Sequence, residues 1–154
     1  IVTTDGTVVG RHDGIERFTV GQRKGLRVAM GERYFVVRID KDSHQVVIGR
    51  ENELCRDGLS AIDCNWLVEP PVGAFTCNAQ IRYNSRPQPA TAQLDREGRL
   101  TVAFESPQRG VAPGQAVVCY EGVRVLGGGW IQSTSWVSAC WSIPVERRLD
   151  SHLT

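Results

Sequence analysis

The sequence predicts a mainly β protein, two small β-barrel-like domains with little helix, and three observations carry that prediction. Apolar and polar residues alternate with a period of two through three candidate hairpins, each with turn formers between β-rich runs. No stretch carries a helical stripe of apolar residues over a dozen positions. Consecutive prolines in "VEPPVG" (68–73) cannot donate to a ladder and stiffen a linker, so they mark a domain boundary. The first domain then covers 1–70, the second 71–132, and 133–154 is an extension.

In chain order, the first unusual stretch is "FTVGQRKGLRV" (18–28), which sets two glycines, a glutamine and three cations between apolar ends. Two readings stand. It is either a solvated loop, or a tight turn with exposed amides in which Gln22, Arg23, Lys24 and Arg27 offer donors that match phosphate oxygens. "RYFVVRID", "KDSH" and "QVVIGR" (33–50) make the first hairpin, with Tyr34, Val36 and Arg38 alternating against Phe35, Val37 and Ile39. In "IRYNSRP" (81–87), Ile81 and Tyr83 would share one face of a strand and Arg82 and Asn84 the other. A guanidinium, an aromatic and an amide so close together suit RNA, but arginines also blunt an ordinary edge strand.

"ATAQL", "DREG" and "RLTVAF" (90–104) form the second hairpin, with Leu100, Val102 and Phe104 on its buried face. In "VAPGQAVV" (111–118), Pro113-Gly114 sets a turn, and the Gln115 amide serves either a base or ribose or its own turn. "QAVVCY", "EG" and "VRVLGGGWI" (115–131) form the third hairpin, where Gly127–Gly129 let a strand bend or pass close to another backbone. A phosphate loop would need a helix directly after the glycines, and Trp130-Ile131 continue as strand. The serine-rich tail lacks this rhythm. Its Trp136, Val137, Trp141 and Ile143 are apolar enough to dock, and a loosely attached segment is expected.

Composition narrows the function. At 154 residues and 17.0 kDa the chain can bury a core, and a net charge of +1 creates no global field toward nucleic acid or membrane. Lys24 and Lys41 are the only lysines, and the remaining cations are arginines, which suit bidentate phosphate and base-edge contacts. Five scattered cysteines, Cys55, Cys64, Cys77, Cys119 and Cys140, form neither a CxxC pair nor a Cys/His cluster. They read as reduced small hydrophobes of a cytoplasmic protein, with no zinc site and no disulfide framework. No apolar run is long enough to span a bilayer and no signal peptide is visible. The chain opens at Ile1 and its sole methionine is Met30, which suggests a piece of a longer polypeptide. His12-Asp13 reads as a turn, and no nucleophile elbow, HExxH or phosphate-loop signature accompanies it, so no catalytic residue is assigned.

Four motifs, "HDGIERFTVGQRKGL", "FTCNAQIRYNSRP", "GVAPGQAVVCYEG" and "VLGGGWI", stand in an order and at intervals that resemble the tRNA-specific 2-thiouridylases, the MnmA family, over residues 1 to 132. The resemblance implies a central β domain followed by a β barrel similar to those of elongation factor Tu, which together seat tRNA through its anticodon arm. It also implies an N-terminal ATP-pyrophosphatase domain outside this chain. That domain would adenylate the wobble uridine and replace its 2-oxygen with persulfide sulfur from a relay protein. ATP would belong to it, so no cofactor and no catalytic cysteine is expected here. Residue by residue, the family's tRNA-contacting Arg-Tyr pair matches Arg82 and Tyr83, and the glutamine of its PGQ turn matches Gln115. Its GQRKG segment matches Gln22, Arg23 and Lys24, as contacts to RNA or to the catalytic domain. Two positions depart from the pattern: Asn84 replaces an arginine, with Arg86 close by, and Arg27 replaces a glycine. The competing expectations are a free-standing RNA-binding barrel and, ranked last, part of a tRNA methyltransferase, for which no Gly-rich methyl-donor site is present.

Overall fold

A computed structural model gives the fold and describes residues 1–136. Two β units follow one another. The first is a three-stranded sheet of β1 (Val2–Thr3), β2 (Phe35–Asp40) and β3 (Gln45–Gly49), in the order β1-β3-β2, with β1 parallel to β3 and β2 antiparallel to it. The expected β2–β3 hairpin is present. His44 turns it with a left-handed backbone (φ 52), and the Asp40 carboxylate accepts N–H bonds from Asp42 and Ser43 at 3.0 and 3.2 Å. The Ser43 amide, as the largest influence, holds that carboxyl below its usual range.

Phe35, Val36 and Val37 are buried in succession, although a strand with one wet face would bury every second residue. Both faces of this sheet are covered. Val36 packs with Ile1, Leu26, Val46 and Ile48, whereas Phe35 and Val37 pack with Val2, Val47 and Leu54. Loop residues such as Leu26 supply one of those covers, which is how so small a sheet acquires a core.

The second unit is a closed barrel of β4 (Cys55–Trp66), β5 (Ala74–Gln80), β6 (Gln88–Leu94), β7 (Leu100–Arg109), β8 (Ala116–Glu121) and β9 (Arg124–Trp136), in the order β4-β7-β6-β5-β8-β9. Every neighbouring pair is antiparallel, and β9 closes on β4. Alternate residues point inward: Cys77 and Ala79 from β5, Ala90 and Ala92 from β6, Leu100, Val102 and Phe104 from β7, and Val117 and Cys119 from β8. Closure explains the triple glycine. A Cβ on Gly128 would lie 2.1 Å from the Val117 carbonyl oxygen, and one on Gly127 would lie 2.6 Å from that of Asn65. The glycines let β9 fit between two backbones, the close approach anticipated above.

The passage between units lies upstream of the prolines. A 3-10 turn at Glu51–Leu54 leads from β3 into β4, so Cys55–Trp66, placed by the sequence reading in the first domain, is a barrel strand. Pro70 and Pro71 stiffen the β4–β5 connection inside the barrel. At the other end, β9 runs on through Trp136 and takes Ser133–Ser135 of the predicted extension into the barrel. There the Ser60 and Ser133 hydroxyls share a 2.7 Å hydrogen bond, and Ser135 Oγ donates to Asp57 at 3.0 Å. Residues 137–154, with Val137, Cys140, Trp141 and Ile143, lie outside the described residues.

One buried arginine joins the units. Arg56 is 3% exposed and donates through Nη1 to the carbonyls of Glu53 (2.7 Å) and Cys55 (2.9 Å), and through Nη2 to that of Val37 (3.2 Å). Burial lowers its pKa from the ordinary guanidinium value. On the surface, Arg109 pairs with Glu51 and lies 4.9 Å from the centroid of the Phe35 ring, and the Gly110 amide donates to the Leu54 carbonyl at 3.1 Å.

Candidate nucleic-acid interface

The β5–β6 connection is a turn, and it corrects the strand geometry expected for "IRYNSRP". Ala79 pairs with Gln88, which leaves Arg82–Arg86 in the loop of that hairpin. Side-chain amide chemistry closes the loop: Gln80 Nε2 donates to the carbonyls of Arg82 (2.9 Å), Tyr83 (3.3 Å) and Ser85 (2.6 Å). Ser85 returns its own N–H and hydroxyl to the Arg82 carbonyl at 3.1 and 2.9 Å. Tyr83 is thereby fully exposed at the tip of an ordered turn, while Ile81 anchors the turn in the core.

Arg82 leans the other way. Its Nη2 donates to the carbonyls of Arg109 and Gly110, both at 3.0 Å. Gly110 has a left-handed backbone (φ 69), and a Cβ there would lie 1.9 Å from that same nitrogen, so its lack of a side chain makes room for the guanidinium. Gln115 converges on the same carbonyl, with Nε2 donating to Gly110 at 3.3 Å and Oε1 accepting the Ala112 N–H at 3.2 Å. Of the two roles the sequence left open for Gln115, turn closure is occupied.

These bonds bring three predicted residues together. Arg82, Tyr83 and Gln115 line one groove of about 730 Å³ with Gln80, Asn84 and Tyr120. The lining holds a guanidinium, two phenols and three amides, and no carboxylate. It can stack on flat groups, donate to phosphate oxygens and pair with polar edges, and it contains no nucleophile–base pair. Gln80 and Tyr120 escaped sequence reading. Their signal was period two, because Cys77 and Ala79 on β5 and Val117 and Cys119 on β8 face inward and turn Gln80, Val118 and Tyr120 outward together.

Gln22, Arg23 and Lys24 sit elsewhere, on the loop that precedes β2. Gln22 closes this loop as Gln80 closes the other: its Oε1 accepts from Thr19 N–H (3.0 Å), its Nε2 donates to the Lys24 carbonyl (2.9 Å), and its backbone bonds Val36. Gly21 (φ 91) and Gly25 (φ 78) flank the turn, and Arg23 and Lys24 are exposed. Arg27 has a left-handed backbone (φ 52), the conformation that glycine adopts most readily.

His12 serves structure, with Nε2 donating to the His44 carbonyl at 3.1 Å and its ring edge-on to Phe18. Cys77 and Cys119 lie together in the barrel core, where their thiols' interaction and burial push the Cys119 pKa up. Burial also raises that of Cys64. Among the described residues no group of three or more His, Cys, Asp or Glu is placed to hold a metal ion, and no helix is long and apolar enough to cross a membrane.

A closed six-stranded barrel carrying a polar, aromatic groove, attached to a three-stranded sheet, defines a two-unit β-barrel protein. Residues 1–50 match the model of the tRNA methyl transferase PRC-barrel domain, and residues 56–131 match that of the aminomethyltransferase beta-barrel domain. The chain is 56% identical over 135 residues to a tRNA-specific 2-thiouridylase MnmA of Rhodopirellula baltica, a match covering 85% of this chain and 34% of that relative. It is 49% identical over 140 residues to the protein of that name from Solibacter usitatus, covering 86% and 37%. The Carboxydothermus hydrogenoformans protein of the same name is 46% identical over 133 residues, covering 85% and 36%. The chain belongs to the tRNA-specific 2-thiouridylase family, as its central and C-terminal β domains. It spans about a third of the length of the curated relatives it matches.

Proposed function

We propose that this chain is the tRNA-recognition portion of a cytoplasmic tRNA-specific 2-thiouridylase. It seats the anticodon arm against an N-terminal ATP-pyrophosphatase domain that activates the wobble uridine and receives persulfide sulfur from a relay protein. The observation that carries this reading is the convergence of Arg82, Tyr83 and Gln115 on one groove without carboxylates. The chain's own contribution is position: a held nucleotide surface removes orientational freedom that the chemical step would otherwise have to overcome. Tyr83 offers a face for an unstacked base, Asn84 and Tyr120 reach polar edges, and Arg82 supplies positive charge from a site already fixed by two carbonyls.

Tyr83 makes no packing contribution that its exposure would allow, so its replacement tests the groove cleanly. Tyr83→Ala is expected to leave thermal stability unchanged and to weaken binding of fluorescently labelled tRNA by roughly 5- to 150-fold, the worth of one base–aromatic stack. An unchanged affinity in that variant, alongside measurable wild-type binding, would remove the groove from the interface.

A further inference from the structure

We infer that the first unit holds a second, separate anion site, a phosphate-binding concavity built by Arg23, Arg27 and Arg33. The three arginines line one concavity of about 240 Å³, on the loop that runs from Gly21 into β2. All three are exposed. Among the described residues none of them has an ion pair or a side-chain hydrogen bond, unlike Arg17, Arg50, Arg56, Arg82 and Arg109; Arg11, Arg86, Arg96 and Arg124 are also without one but do not line this concavity. The single carboxylate on the lining, Glu32, pairs with Arg50 at 3.0 Å. Three like charges around one hollow repel each other unless a counter-charge joins them, and a guanidinium matches phosphate oxygens with paired, directional donors.

The loop is also held in shape. Leu26 is buried in the core of the first unit, and Gly25 (φ 78), Arg27 (φ 52) and Gly31 (φ 67) all have left-handed backbone. Arg27 is the one of these with a side chain. A residue kept in a conformation that glycine adopts at lower cost places a charge at the concavity that glycine could not supply. The occupant is a phosphate group, either of an RNA backbone or of a small free anion. Only the RNA source rests on the function proposed above.

Two arms separate the sources, with Arg27→Gly and Arg33→Gln as variants. Arg27→Gly suits its backbone and keeps the fold. In the first arm, tRNA affinity is measured across a salt series, and each substitution is expected to reduce the slope of log K against log salt by about one. In the second, inorganic phosphate is titrated calorimetrically into the chain, and either variant is expected to weaken binding about tenfold or more. A reduced slope assigns the site to RNA backbone. An unchanged slope with lost phosphate binding assigns it to a free phosphate, and wild-type phosphate binding with no tRNA binding does the same while removing the RNA reading. Variants that match wild type in both arms overturn the site.

Discussion

Arg27 has a left-handed backbone (φ 52), where a side chain costs about 1–2 kcal/mol that glycine does not pay. Arg27→Gly is therefore expected to raise stability by about 1 kcal/mol, read as a rise of roughly 2–4 °C in melting temperature. A fall would mean that the Arg27 side chain packs more productively than its exposure indicates. The same residue shows how far single positions were legible in sequence. That the loop carries a cation at Arg27 was visible; that this residue takes a positive φ was not, because backbone handedness depends on where Leu26 and Val28 are packed. Arg82, Tyr83 and Gln115 were legible as candidates, but not the Gly110 carbonyl that Arg82 and Gln115 share, since it lies far along the chain from Arg82.

At the scale of elements, the close approach of β9 to β8 and β4 makes the glycines unequal. Gly128→Ala would push a Cβ to 2.1 Å from a backbone oxygen and is expected to cost about 3 kcal/mol or more in urea denaturation. Gly122, with open space around it and φ 58, should cost only about 1 kcal/mol as alanine. Equal costs would show that the barrel relaxes where β9 closes. The three hairpins were readable because turn chemistry and period two are local signals. The strand β4 was not, because its burial is uneven and its partners, β7 and β9, lie far along the chain. Pro70 and Pro71 marked a real break in the ladder, but strand pairing across it decides the barrel. The turn at Arg82–Arg86 was hidden for a similar reason: the Gln80 amide, and not the local alternation, ends the pairing.

For the whole molecule, the loop at Arg109–Gly110 connects groove and sheet. Its carbonyls receive Arg82, its amide reaches Leu54, and the Arg109 side chain meets Glu51 and Phe35, while Arg56 ties the units from within. Arg56→Leu strips three charge-assisted bonds from buried carbonyls and is expected to cost about 3 kcal/mol. It should also let β2 amides exchange hydrogen independently of the barrel; exchange that stays coupled would assign the joint to Arg109 instead. The proposed role of this pair of β domains in holding tRNA is tested by the binding of labelled tRNA to the chain across a salt series. Weak binding that tightens steeply as salt falls is expected, because arginine–phosphate contacts dominate it. Binding indifferent to salt, or none at low salt, would contradict it.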